Sequence, residues 1–172
     1  MGLKTLSILV MISFLLSCNS GTQSNTETVA QGDNSELTKD DIANLKYLEF
    51  TLDRQAETIA EPWDAYSRLR EAVEGVKNAD FSFFNAEEKA STELIKDLKA
   101  TVPDTLNTPS VLSRILVMET MLQKMQETSG LSTTTKAELS QAVKDVLVAY
   151  SNLNFQLNKK LEKDKQNIQR PI

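Results

Sequence analysis

Beyond residue 37 the apolar positions of this chain recur at intervals of three and four, the period of helices buried along one side. The first stripe runs through Ile42, Leu45, Leu48, Leu52, Ala56, Ile59, Trp63, Tyr66, Leu69, Val73 and Val76. It opens at Thr38-Lys39-Asp40-Asp41, where Asp41 can return a bond to the Thr38 amide as a capping box. Pro62 removes one amide donor from this helix and meets the carbonyl of Thr58. The stripe stays in phase from Leu52 through Trp63 to Tyr66, which favours a kink at Pro62 over a split there. A second helix is announced by Asn85-Ala86-Glu87-Glu88, carries Ala90, Leu94 and Leu98, and ends before Pro103. Thr108-Pro109 opens a third, with proline where its missing N–H is harmless. Its stripe of Val111, Ile115, Met118, Leu122 and Met125 is widened by Leu112, Leu116, Val117 and Met121, which predicts the most buried element, ending at Ser129-Gly130. The last helix begins within residues 133–135 and presents Leu139, Val143, Val146, Leu147, Tyr150, Leu153, Leu157 and Leu161, with Ile168 as its furthest extension.

No alternation of period two persists long enough to make a strand. The pattern therefore predicts an all-α fold: an elongated antiparallel bundle of about four helices over residues 37–168, followed by a tail at 169–172. At 1.5 Å per residue the outer two helices would reach roughly 60 and 50 Å, and the inner two about 25 and 30 Å. Short connections after the second and third helices favour antiparallel neighbours. The aromatic run Asp80-Phe81-Ser82-Phe83-Phe84 reads as a plug over one end of the core in preference to a ligand or partner site. Long end helices also suit coiled-coil oligomers, and the pattern leaves oligomeric state open.

The N-terminus carries a different signal. Lys4 is followed by an apolar run over residues 6–16, too short for the roughly 20 residues that cross a bilayer, and closed by Leu15-Leu16-Ser17-Cys18. This is a lipobox, and it predicts a signal peptide over residues 1–17 cleaved between Ser17 and Cys18. Residues 1–18 resemble the signals of bacterial lipoproteins. The resemblance implies that Cys18 is acylated at sulfur and at its amino group, and two or more chains hold a protein stably in a membrane. In that family an aspartate after the cysteine retains a protein in the inner membrane. Asn19 stands here, and residues 20–23 hold no acidic cluster, which implies an outer-membrane lipoprotein facing the periplasm. From 18 to 36 the chain is almost wholly polar and reads as a lipidated flexible tether, spanning about 25 Å on average. The helical part is similar in style to uncharacterised helical lipoproteins of Bacteroidota, a resemblance carried by Trp63, Ser113-Arg114-Ile115-Leu116 and Leu153-Asn154. It implies no activity.

Composition narrows the chemistry. The net charge is -5, and loss of Lys4 with the signal leaves 18 basic against 24 acidic residues, or -6, which speaks against nucleic acid as a partner. Cations gather late, at Lys159, Lys160, Lys163, Lys165 and Arg170, where they suit a solvated helix end better than a patch for anionic lipid or a partner. There is no histidine, so imidazole bases, imidazole-bound zinc and His-bound haem are excluded. The one thiol, Cys18, is committed to lipid. The acid pairs Asp40-Asp41, Glu57 with Glu61, and Glu87-Glu88 read as caps or solvated faces. No catalytic residue, metal or cofactor is therefore expected.

Three polar residues fall on or beside apolar stripes: Arg114, Glu119 and Asn154. Buried groups of this kind must find partners, and meeting one another, Trp63, Tyr66 or backbone would fix helix register. The function expected is a noncatalytic, lipid-anchored bundle that presents a surface to an unknown protein partner of the envelope. The alternative is a periplasmic binding module that holds a small apolar ligand among Trp63, Tyr66, Met118, Met121 and Met125.

Overall fold

A computed structural model describes residues 36–86 and 89–166, which lie within one compact unit over residues 32–172. The signal and its cleavage point at Ser17 and Cys18, nearly all of the tether, Glu87, Glu88, Ile168, Arg170 and the tail at 169–172 lie outside the described residues. The fold is all-α, with seven helices and no strand among the described residues. They are α1 (Lys39–Ala43), α2 (Arg54–Ala60), α3 (Asp64–Lys77), α4 (Ser82–Ala86), α5 (Ala90–Ala100), α6 (Pro109–Gly130) and α7 (Lys136–Lys165). No described helix is long and apolar enough to cross a membrane.

The frame is the pair α6 and α7. Each starts at a threonine whose hydroxyl accepts an amide, Thr108 from Val111 and Thr135 from Glu138, and Glu138 completes a capping box at the second. The two run antiparallel: Lys124 reaches Asp145 at 2.7 Å near the connection, and Thr108 and Pro109 share a cleft with Gln156 and Lys160 at the far end. The 30 residues of α7 span about 45 Å and bury a stripe from Ala142 to Leu161. α5 packs on α6, α3 bridges α5 and α7, and α1 and α2 lie on α7.

The predicted long first helix is not one helix. α1 ends after Ala43, where the Asn44 side chain caps the Asp40 carbonyl. Residues 45–53 form no regular element, and Asp53 then caps α2 by accepting the Ala56 amide. At Pro62 the chain breaks where a kink had been favoured: Glu61 and Pro62 form a turn and Trp63 stands outside helical geometry before α3 begins. Burial of Trp63, which is 2% exposed, holds this corner.

Two other expectations change. α6 is not the most buried element, because Leu112, Leu116 and Val117 face outward and only Val111, Ile115, Met118, Leu122 and Met125 are buried on it; α7 buries more. The second helix starts at Ala90, after Lys89, which offers no side-chain cap. The aromatic run folds as α4, with Phe84 buried and Phe81 and Phe83 half-buried against the core.

Candidate functional site

The polar side chains that converge in this fold do so under the irregular segment 45–53, on one face of α7. Ser151, Asn154 and Asn158 stand at intervals of three and four, so they line one side of the helix. The Ser151 hydroxyl donates to the Leu48 carbonyl and accepts the Phe50 amide, each at 2.7 Å. Asn154 donates from Nδ2 to the Phe50 carbonyl at 3.0 Å. Asn158 donates to the Thr51 carbonyl at 2.8 Å and accepts the Asp53 amide at 2.9 Å. The segment is thus a strap whose backbone is satisfied by helix side chains in place of a neighbouring strand.

Beneath the strap the row continues inward. Tyr66 of α3 is fully buried and donates its hydroxyl proton to Asn154 Oδ1 at 2.6 Å. Its proton being committed there, the 3.1 Å contact between the Tyr66 and Tyr150 hydroxyls requires Tyr150 to donate. Burial and the neighbouring Tyr150 push the Tyr66 pKa up, so it stays a neutral donor. Trp63 stacks on Tyr66 at 5.5 Å and donates from Nε1 to the Thr101 hydroxyl at 3.1 Å.

A cleft of about 210 Å³ opens beside this cluster, between strap residues Glu49, Phe50, Thr51 and Leu52 and the side chains of Glu57, Tyr66, Arg70, Glu74, Lys77, Tyr150 and Asn154. Its charges are matched within the protein. Arg70 pairs with Glu57 at 2.7 Å, which raises the guanidinium pKa against the effect of burial, and it lies 5.3 Å from the Tyr66 ring centroid. Partial burial works to lower the Lys77 pKa, but the carboxylates of Glu49 and Glu74, at 2.7 and 3.1 Å, outweigh it and raise it. What this arrangement does chemically is hold the strap down. Side-chain hydroxyls and amides bond five of its backbone groups, and the Lys77–Glu49 pair ties its edge to α3.

The residues singled out from sequence therefore separate. Trp63, Tyr66 and Asn154 come together. Glu119 is half-buried and elsewhere, paired with Lys99 across α5 and α6 at 2.6 Å. Arg114 is exposed, although Val111 and Met118 of the stripe beside it are buried. Met118 and Met125 are completely buried and Met121 is half-buried against the core. The larger cleft beside Trp63, about 530 Å³, is lined by Ile59, Pro62, Arg68, Asp97, Thr101 and Pro103 among others, and by none of these methionines. Sequence reasoning missed Ser151, Asn158 and Tyr150. Their signal was present as a polar row at 151, 154 and 158 on an otherwise apolar face.

Of the paired acids, Asp41 caps α1 and Glu57 pairs with Arg70, both structural roles. Among the described residues no group of three or more His, Cys, Asp or Glu is placed to hold a metal. Among the described residues, the large apolar side chains left exposed include Leu112, Leu116 and Val117 of α6, with Leu116 56% exposed. No protein-family model, curated protein or solved structure matches this chain.

Proposed function

We propose that this protein is a noncatalytic lipoprotein of the bacterial outer membrane, held by an acylated Cys18 and facing the periplasm, whose helical body binds another envelope protein. The body is an elongated antiparallel bundle built on the α6 and α7 pair. The observation that carries the reading is the apolar row on α6. Leu112 and Leu116 lie one turn apart with Val117 beside them, and all three are exposed while the same helix buries Val111, Ile115 and Met118 on its other side. A helix that leaves large apolar side chains on its uncovered side presents a surface for a partner. The polar cluster under the strap supports the noncatalytic part of the reading, because its donors and acceptors are spent on the fold.

Two measurements test it. Metabolic labelling with palmitate should mark the exported chain and should fail with Cys18→Ala. Gentle detergent extraction of the lipidated protein should recover a specific envelope protein, and Leu116→Glu should lose it while the helical circular dichroism stays unchanged. Recovery of the same protein with Leu116→Glu would move the contact off α6, and no label on Cys18 would remove the anchor.

A further inference from the structure

The strap does more than close the core, because its outward side chains form a face with α7. Leu45 and Tyr47 turn toward the core and pack against it, whereas Lys46 and Leu48 are exposed and Phe50 is half-buried. Leu48 is 78% exposed, more than the other large apolar residues left on the surface. The Phe50 ring lies 4.7 Å from that of Phe155 on α7, which is itself 37% exposed, and the Lys159 ammonium sits 5.7 Å over the Phe155 ring. The Ser151 bonds to the Leu48 carbonyl and the Phe50 amide fix the strap backbone against α7 one turn before Phe155.

We propose that this face, Lys46, Leu48, Phe50, Phe155 and Lys159, seats on the anionic surface of the bilayer that anchors the protein. Apolar and aromatic tips flanked by lysines match the boundary between headgroups and acyl chains, where rings and aliphatic tips enter and ammonium groups remain at the phosphates. Glu162 draws on the Lys159 ammonium at 2.5 Å and leaves it two further donors. An anchored chain carrying a net charge of -6 is repelled by anionic lipid as a whole, so contact depends on this local face and sets one orientation. The proposal rests on the anchored reading only for the nearness of the bilayer. The polar stretch over residues 18–36 that reads as a tether would average about 25 Å, near enough for a weak face to suffice.

The test uses the full chain on vesicles of neutral phosphatidylcholine, with and without phosphatidylglycerol, whose acyl chains are brominated to quench indole. Leu48→Trp places a probe at the most exposed point of the face. The parent chain supplies the background of Trp63, which is buried. The expected result is quenching of the Leu48→Trp signal only with anionic lipid, with the docked fraction relative to the free one reduced about fivefold for each lysine removed, in Lys46→Ala and Lys159→Ala. Phe155→Trp is the second probe and should behave alike. Equal quenching on neutral vesicles, or none above the parent on either, would overturn the proposal. So would a concentration-dependent change in the probe without lipid, which would assign the face to a second copy of the chain. The mass of the N-terminal peptide from the same preparation reports acylation of Cys18, so a missing anchor and an unused face give separate results.

Discussion

Asn154 is the residue on which three parts of the molecule meet. Its amide oxygen takes the Tyr66 proton from α3, its nitrogen serves the Phe50 carbonyl of the strap, and its backbone belongs to α7. Replacement by leucine leaves a buried tyrosine proton and a strap carbonyl without partners, and each buried orphan costs about 1–3 kcal/mol. Asn154→Leu should therefore destabilise the protein by about 2 kcal/mol in urea unfolding, and adding Tyr66→Phe should cost less than the sum of the two changes. A more stable Asn154→Leu protein would mean that the amide is dispensable. A second residue shows strain in place of satisfaction. Ala79 ends α3 with φ at 59°, while its amide bonds to Val76 and the Asp80 amide to Gly75, the pairing of a Schellman turn. Glycine fits that position without a Cβ penalty, so Ala79→Gly should raise stability by about 0.5–1 kcal/mol in the same assay.

At the scale of elements, the sequence made the caps legible and one connection illegible. Thr38, Thr108 and Thr135 all cap helices as their spacing predicts, because the bond each makes is local. The strap was hidden because Leu45, Leu48 and Leu52 happen to stand at helical intervals. What decides its conformation is the row of Ser151, Asn154 and Asn158, about a hundred residues further on, which periodicity within one segment cannot sense. Asp53 carried a local hint as a second N-cap, and Tyr47, Phe50 and Thr51 carried another as residues suited to extended chain. The caps also predict the acid response. Asp41 is held down at about 2 from 3.8, chiefly by the Thr38 hydroxyl and then by Lys136 of α7 at 2.9 Å; Glu138 is lowered by the Thr135 amide and hydroxyl. Lowered carboxylates bind fewer protons folded than unfolded, so their contribution is complete above about pH 5 and is lost progressively as pH falls through about 2. Hydrogen exchange should show α1 and the first turn of α7 loosening in that window, and Asp41→Asn should make α1 equally loose at neutral pH. An α1 whose protection is flat from pH 5 to about 2 would contradict this.

For the whole molecule, the all-α class followed from the period of the apolar residues, but which side of α6 lies open did not. Leu112, Leu116 and Val117 are as apolar as the residues that α6 buries, and only the positions of α5 and α7 decide which of them are covered. Sequence alone counted both sides as core, and it placed Arg114 on a flank with Val111, Met118 and Met121, which do pack in or against the core while Arg114 itself is exposed. The functional account turns on that same uncovered side. A bundle that is held near a membrane and leaves one helix apolar toward solvent gains from a partner there, whereas a catalyst or a ligand carrier would gain from unspent groups in a cleft.

The most direct test is a photocrosslinking amino acid at position 116 in the lipidated protein, irradiated in living cells. A discrete adduct with one envelope protein, weakened when Cys18→Ala releases the body from the membrane, is the predicted result. No adduct at 116 alongside a strong one from the buried side of another helix, or an adduct indifferent to Cys18, would contradict it.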